Sequence, residues 1–301
     1  LLALWVAGRG VMLTAAALPG PLVLGVEVAF FPVVAFVIGR RIAAARLARN
    51  VGFPALLLLL GGLDLLVHLD VLGAAGPLRG AAPAALRAAA VMGGGGITPF
   101  YPVNALRQLG DGIEPRPGRE WGLLGIAAVL ALSAGDLLVP RSAWTGAAAG
   151  VGAAALLLRQ AGWRGPRVAR NPLLLSLHLG LLWVPIGLAL VAAGDLTGRV
   201  PPAAGLHALT AGALGTTILA VVTRVSLGHT GRPLVAPPSA VAAYLLAHAG
   251  AALRVASPFA PVELYAPLVA AGGALWGTAF LVFAVGYAPI LLRPRADGLP
   301  G

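Results

Sequence analysis

The sequence predicts an all-α, polytopic transmembrane bundle, on three observations. Hydrophobic residues make up 59% of the 301 and charged residues only 10%, where a soluble domain carries about 25% charge. The mean hydropathy of +0.91 leaves too little polar surface to clothe a globule, so lipid must cover most of the chain. The apolar runs approach or exceed twenty residues, which suits bilayer-crossing helices and is about twice the length of a barrel strand. Their mass comes from Ala, Leu, Gly and Val, with aromatics at 6%, as in bundles whose helices approach closely through small residues.

About ten spans follow, at residues 1–17, 21–39, 51–70, 79–100, 121–139, 142–160, 171–194, 202–223, 236–257 and 264–290. The first opens directly in apolar residues and holds Arg9. No initiator Met or signal-peptide layout precedes it, so we expect the chain to lack its natural beginning. The second runs up to Arg40 and Arg41, and the third carries Asp64 and His68. The fourth carries Arg87 and runs into the glycines of Met92 to Leu106 (MGGGGITPFYPVNAL). Leu106 to Glu120, a Gly/Pro-rich loop of mixed charge, is the longest connection, and Pro140 and Arg141 part the fifth span from the sixth. The seventh, eighth and ninth carry His178, His207 and His248, and the tenth leads to Arg293 and Arg295. Residues 1–301 thus read as a single transmembrane helical domain with no soluble domain.

Arginine placement gives the orientation. All 21 basic residues are Arg. One set of alternate connections, with the C-terminal tail, holds fifteen: Arg40, Arg41, Arg46 and Arg49, then Arg107, Arg116 and Arg119, then Arg159, Arg164, Arg167 and Arg170, then Arg224 and Arg232, then Arg293 and Arg295. The opposite set holds only Arg79, Arg141 and Arg199. Positively charged connections stay on the cytoplasmic side, so the Arg-rich loops and the C-terminus are expected there. This placement accounts for the net charge of +11 without nucleic acid as a partner. The absence of cysteine excludes disulfides and thiolate metal sites, leaving His, carboxylate, Met or backbone oxygen as metal ligands.

Ionisable groups inside a bilayer are costly and are functional candidates by default. Glu27, Asp64, His68, Arg87, His207 and His248 fall toward the outer half of their spans, and Arg9 near mid-depth. Asp64 and His68 stand one helical turn apart on one face, a spacing that fits a carboxylate orienting a metal-bound imidazole and equally a polar helix end. Arg9 and Glu27 also suit a simple ion pair, and Arg254, near a helix end, suits snorkelling to the interface. His178 lies about two turns from the cytoplasmic end of its span and His229 in a cytoplasmic connection. At 1.5 Å per residue His178 and His207 differ in depth by about 13 Å, which leaves two ligands of one haem iron little lateral freedom.

Two segments are irregular. In Met92 to Leu106, four glycines followed by Pro99 and Pro102 should break the helix, which suits either close packing or close approach to a ligand. Leu206 to Leu234, LHALTAGALGTTILAVVTRVSLGHTGRPL, places His207 near one end of a small-residue helix and closes it with Arg224 and the turn Gly228-His229-Thr230-Gly231-Arg232-Pro233. Arg224, His229 and Arg232 there form a donor set for carboxylates or anionic headgroups.

This stretch resembles the signature of the NnrS family, haem- and copper-containing bacterial inner-membrane proteins associated with the response to nitric oxide. The resemblance continues in chain order through LLALWVAGRGVML around Arg9, RNVGFPALLLLLGGLDLLVHL through His68, PFYPVNAL with Asn104, LLSLHLGLLWVPIGL around His178 and AFLVFAVGYAPILLRPRADGLPG at the C-terminus. It implies about twelve helices in a full-length protein, the missing ones carrying a histidine-rich segment, and a location in the bacterial cytoplasmic membrane. It also implies haem and copper, with nitric oxide as the small-molecule partner. It marks His178, His207 and His229 as motif members. His207 is the leading candidate metal ligand, with His68 and His248 as partners matched in depth, and Arg224, Arg232, Arg9 and Asn104 are candidates to hold the cofactor. The family pattern places arginines where this chain has Gly96 and Val103. A permease of small solutes is the alternative reading, since small-residue helices and a broken segment suit alternating access, although no internal repeat is visible.

Overall fold

The computed structural model describes residues 1–46, 51–71, 118–163 and 165–298. The predicted span 79–100, the segment Met92 to Leu106 with Asn104, and Arg49, Arg79, Arg87, Arg107, Arg116 and Arg164 lie outside them. The described residues are helical, without strands, and divide into two compact units, Leu1–Ala89 and Ala90–Gly301.

In the first unit, α1 (Leu2–Leu13) is followed by α2 (Gly20–Val28), α3 (Phe30–Ala44) and α4 (Gly52–Val71). Pro19 stands at the N-cap and Pro21 in the first turn of α2, where the missing N–H has no helical partner to lose. α2 and α3 form one apolar stretch, Gly20–Ala44, long enough to cross a bilayer. α1 packs on α2 and α3, and α4 packs on α2 and α3.

In the second unit, α5 (Arg119–Leu138) and α6 (Ala143–Ala161) form a hairpin, and α7 (Pro172–Thr197) returns along α6. The chain continues through α8 (Pro202–His207), a π-helical segment (Ala208–Gly215), α9 (Thr216–His229), α10 (Pro238–Ala256) and α11 (Val262–Leu292). Starts and stops follow local chemistry. Ser142 and Thr145 close a reciprocal cap on α6, with N···O distances of 2.9 and 3.3 Å, satisfying two N–H groups that a helix start leaves open. Asn171 accepts from the Leu173 N–H at 3.1 Å to cap α7, and Gly198, at φ +68°, ends it in the left-handed region that favours glycine. Thr145 Oγ1 donates to Asp195 at 2.6 Å, tying the start of α6 to the end of α7.

Among the described residues, five helical stretches are long and apolar enough to span a membrane: Gly20–Ala44, Pro172–Thr197, Pro202–His229, Pro238–Phe259 and Val262–Leu292. Large apolar side chains stand exposed on the surface and small hydroxyl residues are buried. Leu13 is 88% and Leu292 84% exposed, while Thr145, Thr216 and Thr223 are buried with Ala204, Ala208 and Ala240. Large apolar side chains thus stand on the outer surface, as lipid solvent allows, while leucines such as Leu173, Leu177 and Leu219 pack with the small residues in the helix contacts.

Candidate functional site

His178 lies two turns into α7, behind the Asn171 cap and the Pro172 start. It is only 7% exposed. Neither ring nitrogen has a hydrogen-bond partner among the described residues. Its surroundings come from the end of α6 and the turn beyond. Gln160 Nε2 donates to the His178 backbone carbonyl at 2.6 Å, and Trp163 meets the imidazole edge-on with centroids 5.8 Å apart. The Arg159 guanidinium lies 5.5 Å over the indole of Trp163. Glycine at 165 permits the close approach, because a Cβ there would fall 2.7 Å from His178 Cδ2. An imidazole held dry without a partner forfeits about 1–3 kcal/mol per unmatched polar atom. Such a group is chemically suited to a ligand that accepts nitrogen lone pairs.

The spacing of Asp64 and His68 on α4 suits a carboxylate as the orienting partner, and equally a polar helix end. The nearer partner is instead the Asp64 backbone carbonyl, 2.9 Å from His68 Nδ1, with the carboxylate at 3.6 Å. Residue i+4 sits over its own helix carbonyl, so main chain and side chain of Asp64 compete for one nitrogen. With Nδ1–H donating to a carbonyl, Nε2 carries the lone pair. That atom is buried and has no partner among the described residues.

His248, on α10, has the opposite assignment. Trp183 Nε1 on α7 donates to His248 Nδ1 at 3.1 Å, so the neutral ring carries its proton on Nε2. Coordination through either nitrogen then requires the Trp183 bond to break or a proton to leave. His207 is half-buried and is the last residue of α8, where the helix widens into the π segment. Two indoles press on that segment. Trp183 packs on Gly212 and Trp276 on Gly215, where added Cβ atoms would fall 2.7 and 2.6 Å from the rings. Trp276 Nε1 donates to the Ala211 carbonyl at 3.2 Å. Thr210 and Thr216 hydroxyls back-bond to the carbonyls of Leu206 and Gly212 at 2.8 and 2.6 Å. Side-chain donors thus add hydrogen bonds to carbonyls along the π segment.

At the end of α9 the exposed His229 leads into the turn through Gly231, at φ +67°. Arg232 Nη1 donates to the Thr230 carbonyl at 3.2 Å. The C-terminal tail also reaches this turn: Arg295 Nη1 donates to the His229 carbonyl at 2.9 Å, and the Ala296 N–H to the Thr230 carbonyl at 3.0 Å. Asp297 takes Arg295 in a two-pronged pair at 2.9 and 2.6 Å, and its hydrogen bond and charge hold the guanidinium pKa above its ordinary value. Arg224 lies five residues before His229 on α9, half-buried.

Arg9 on α1 pairs with Glu27 on α2, the simple ion pair foreseen as one of its two roles. Glu27 is buried, and its carboxylate lies against Gly8. Asn104 lies outside the described residues. The first unit holds His68 and Arg9, and the second holds His178, His207, His248 and the His229 turn. Among the described residues, no group of three or more His, Asp or Glu stands close enough to hold a metal ion. Sequence reasoning missed Trp163, Trp183 and Gly165. Their only signal was an aromatic or glycine near an intramembrane histidine in a chain poor in aromatics.

A protein-family model described as NnrS protein matches residues 1–295. No curated protein and no solved structure matches the chain.

Proposed function

The chain belongs to the NnrS family, and from that premise we propose that it is a haem- and copper-binding protein of the bacterial cytoplasmic membrane that acts in the response to nitric oxide. Its long apolar helices make it a multi-pass membrane protein, with the Arg-rich connections and C-terminus on the cytoplasmic side in this reading.

The observation that carries the proposal is His178, buried with both ring nitrogens unmatched among the described residues. Imidazole is a ligand common to haem iron and copper, and burial beside Trp163 and Gly165 keeps water from competing for it. His68 supports the same reading, because its Nδ1–H is engaged by a carbonyl and Nε2 is left to coordinate. His207 and His248 are the further ligands proposed on the resemblance, with His229 at the cytoplasmic turn. On the resemblance, Arg224, Arg232, Arg9 and Asn104 are the residues proposed to hold the cofactor, and the Arg232 guanidinium is a donor suited to a carboxylate. When bound, these metals supply one-electron chemistry and affinity for nitric oxide.

The test is to titrate the protein purified from membranes with nitric oxide while following its visible absorption. A Soret band that shifts on addition is the expected result. A preparation without that band, or one unmoved by nitric oxide, contradicts the reading and leaves transport as the better account.

A further inference from the structure

In the second unit, a slot of about 500 Å³ opens between the π segment, α10 and α11. Its walls are almost wholly apolar. Gly215, Gly250, Gly272 and Gly273 line it, with the indole of Trp276 on one side. Its length follows α11 from Gly272 to Phe280, eight residues or about 12 Å at 1.5 Å per residue. The volume falls in the range of a small-molecule site. Two of its features have fixed causes. Trp276 is pinned by its hydrogen bond to the Ala211 carbonyl, and Gly250 meets the Gly272 carbonyl so closely that a Cβ would fall 2.7 Å from it. The slot is therefore held open by a locked indole and by glycines that leave no side chain to fill it.

One end of the slot carries a charge. Arg254 lines it, two residues before the end of α10 at Ala256, and pairs with no acidic residue among the described residues. An apolar slot within membrane-spanning helices, ending near a helix terminus at a cation with no acidic partner among the described residues, is complementary to an anionic amphiphile. A guanidinium holds a phosphate through charge-assisted hydrogen bonds.

We propose that the slot holds an acyl chain of a phospholipid whose anionic headgroup rests on Arg254. The chain would lie along Gly272 to Phe280 in contact with the Trp276 ring, and the phosphate would take the guanidinium. This inference does not depend on haem, copper or nitric oxide.

The experiment follows tryptophan fluorescence of the purified chain in detergent, titrated with phosphatidylglycerol or phosphatidylcholine bearing brominated acyl chains, since bromine quenches an indole that it touches. Exposed Trp5, Trp121 and Trp144 respond to either lipid, so the headgroup-dependent component is the readout. Phosphatidylglycerol is expected to quench that component at a tenfold lower mole fraction than phosphatidylcholine. Arg254→Gln should bring the two curves together. Gly273→Leu should abolish the component, and it is a tolerable change because a Cβ at Gly273 meets nothing within 4 Å. Native mass spectrometry of retained lipid should give the same order among the variants. Coincident curves in the unmodified chain overturn the proposal, as does a phosphatidylglycerol preference that survives either substitution. A slot covered by a second copy of the chain would show as no headgroup-dependent quenching and a changed oligomeric state in Gly273→Leu, and that also overturns it.

Discussion

Trp163 stands edge-on to His178, with ring centroids 5.8 Å apart and planes at 83°, while the backbone of Gly165 closes the imidazole from another side. The two rings are 15 positions apart in sequence, and the packing of α7 along α6 brings them together. Three small facts make the contact possible: a helix that ends at Ala161, a short turn, and a glycine where any side chain would collide.

Gly165→Ala is therefore predicted to displace His178. Its Cβ would lie 2.7 Å from Cδ2 and 2.8 Å from Nε2, and overpacking of this kind costs about 1–3 kcal/mol. Thermal unfolding in detergent, followed by circular dichroism, should show a lowered midpoint. An unchanged midpoint would mean that the imidazole is not held where the structure places it.

The Arg9–Glu27 pair should be energetically coupled. Glu27 is buried, whereas the Arg9 side chain is 50% exposed, so the full penalty of breaking a buried pair does not apply. Glu27→Ala and Arg9→Ala are each expected to destabilise, and the double variant to lose about 1 kcal/mol less than their sum. Strict additivity in a denaturation cycle would remove the pair from the account of the first unit.

Close approach of α10 and α11 predicts a contrast between neighbouring glycines. A Cβ at Gly250 meets main-chain atoms, the Gly272 carbonyl at 2.7 Å and the Trp276 nitrogen at 2.8 Å, and main chain cannot step aside as a side chain does. Gly250→Ala should cost about 1–3 kcal/mol. Gly273→Ala meets nothing within 4 Å and should be neutral or stabilising by up to about 1 kcal/mol from helix propensity. Equal effects in a chemical denaturation series would contradict the packing.

Trp183 should control the tautomer of His248. With Trp183 Nε1 donating to Nδ1, ¹⁵N spectra of the labelled chain should show His248 protonated at Nε2. Trp183→Phe should release that preference and mix the tautomers. An Nδ1-protonated His248 in the unmodified chain would rule out this hydrogen bond.

Much of the architecture was legible because its signals are local. The apolar run 171–194 becomes α7, and Asn171 followed by Pro172 marks its start; the run 264–290 becomes most of α11. The Arg9–Glu27 pair was foreseeable too, since two opposite charges within adjacent apolar helices have few alternative partners. The π segment was not legible. LTAGALG reads as an ordinary small-residue helix stripe, and the indoles that press on it come from α7 and α11, far away in sequence. Nor could spacing decide the partner of His68, because at i,i+4 the Asp64 carbonyl and carboxylate lie on the same face. The tail contacts at the His229 turn were equally hidden: Arg295 and Asp297 read as a charged terminus, and only the fold shows them closing on Thr230 and Gly231.

The central claim is that a buried imidazole, His178, serves a redox metal in this membrane bundle. Its most direct test is the absorption spectrum and metal content of the purified chain beside those of His178→Ala, with circular dichroism to confirm that both are helical. The account predicts a Soret band and bound metal in the unmodified chain, and loss of haem, copper or both in the variant at unchanged helicity. A helical variant that keeps its full complement of haem and copper, or an unmodified chain that is colourless and metal-free, would contradict it.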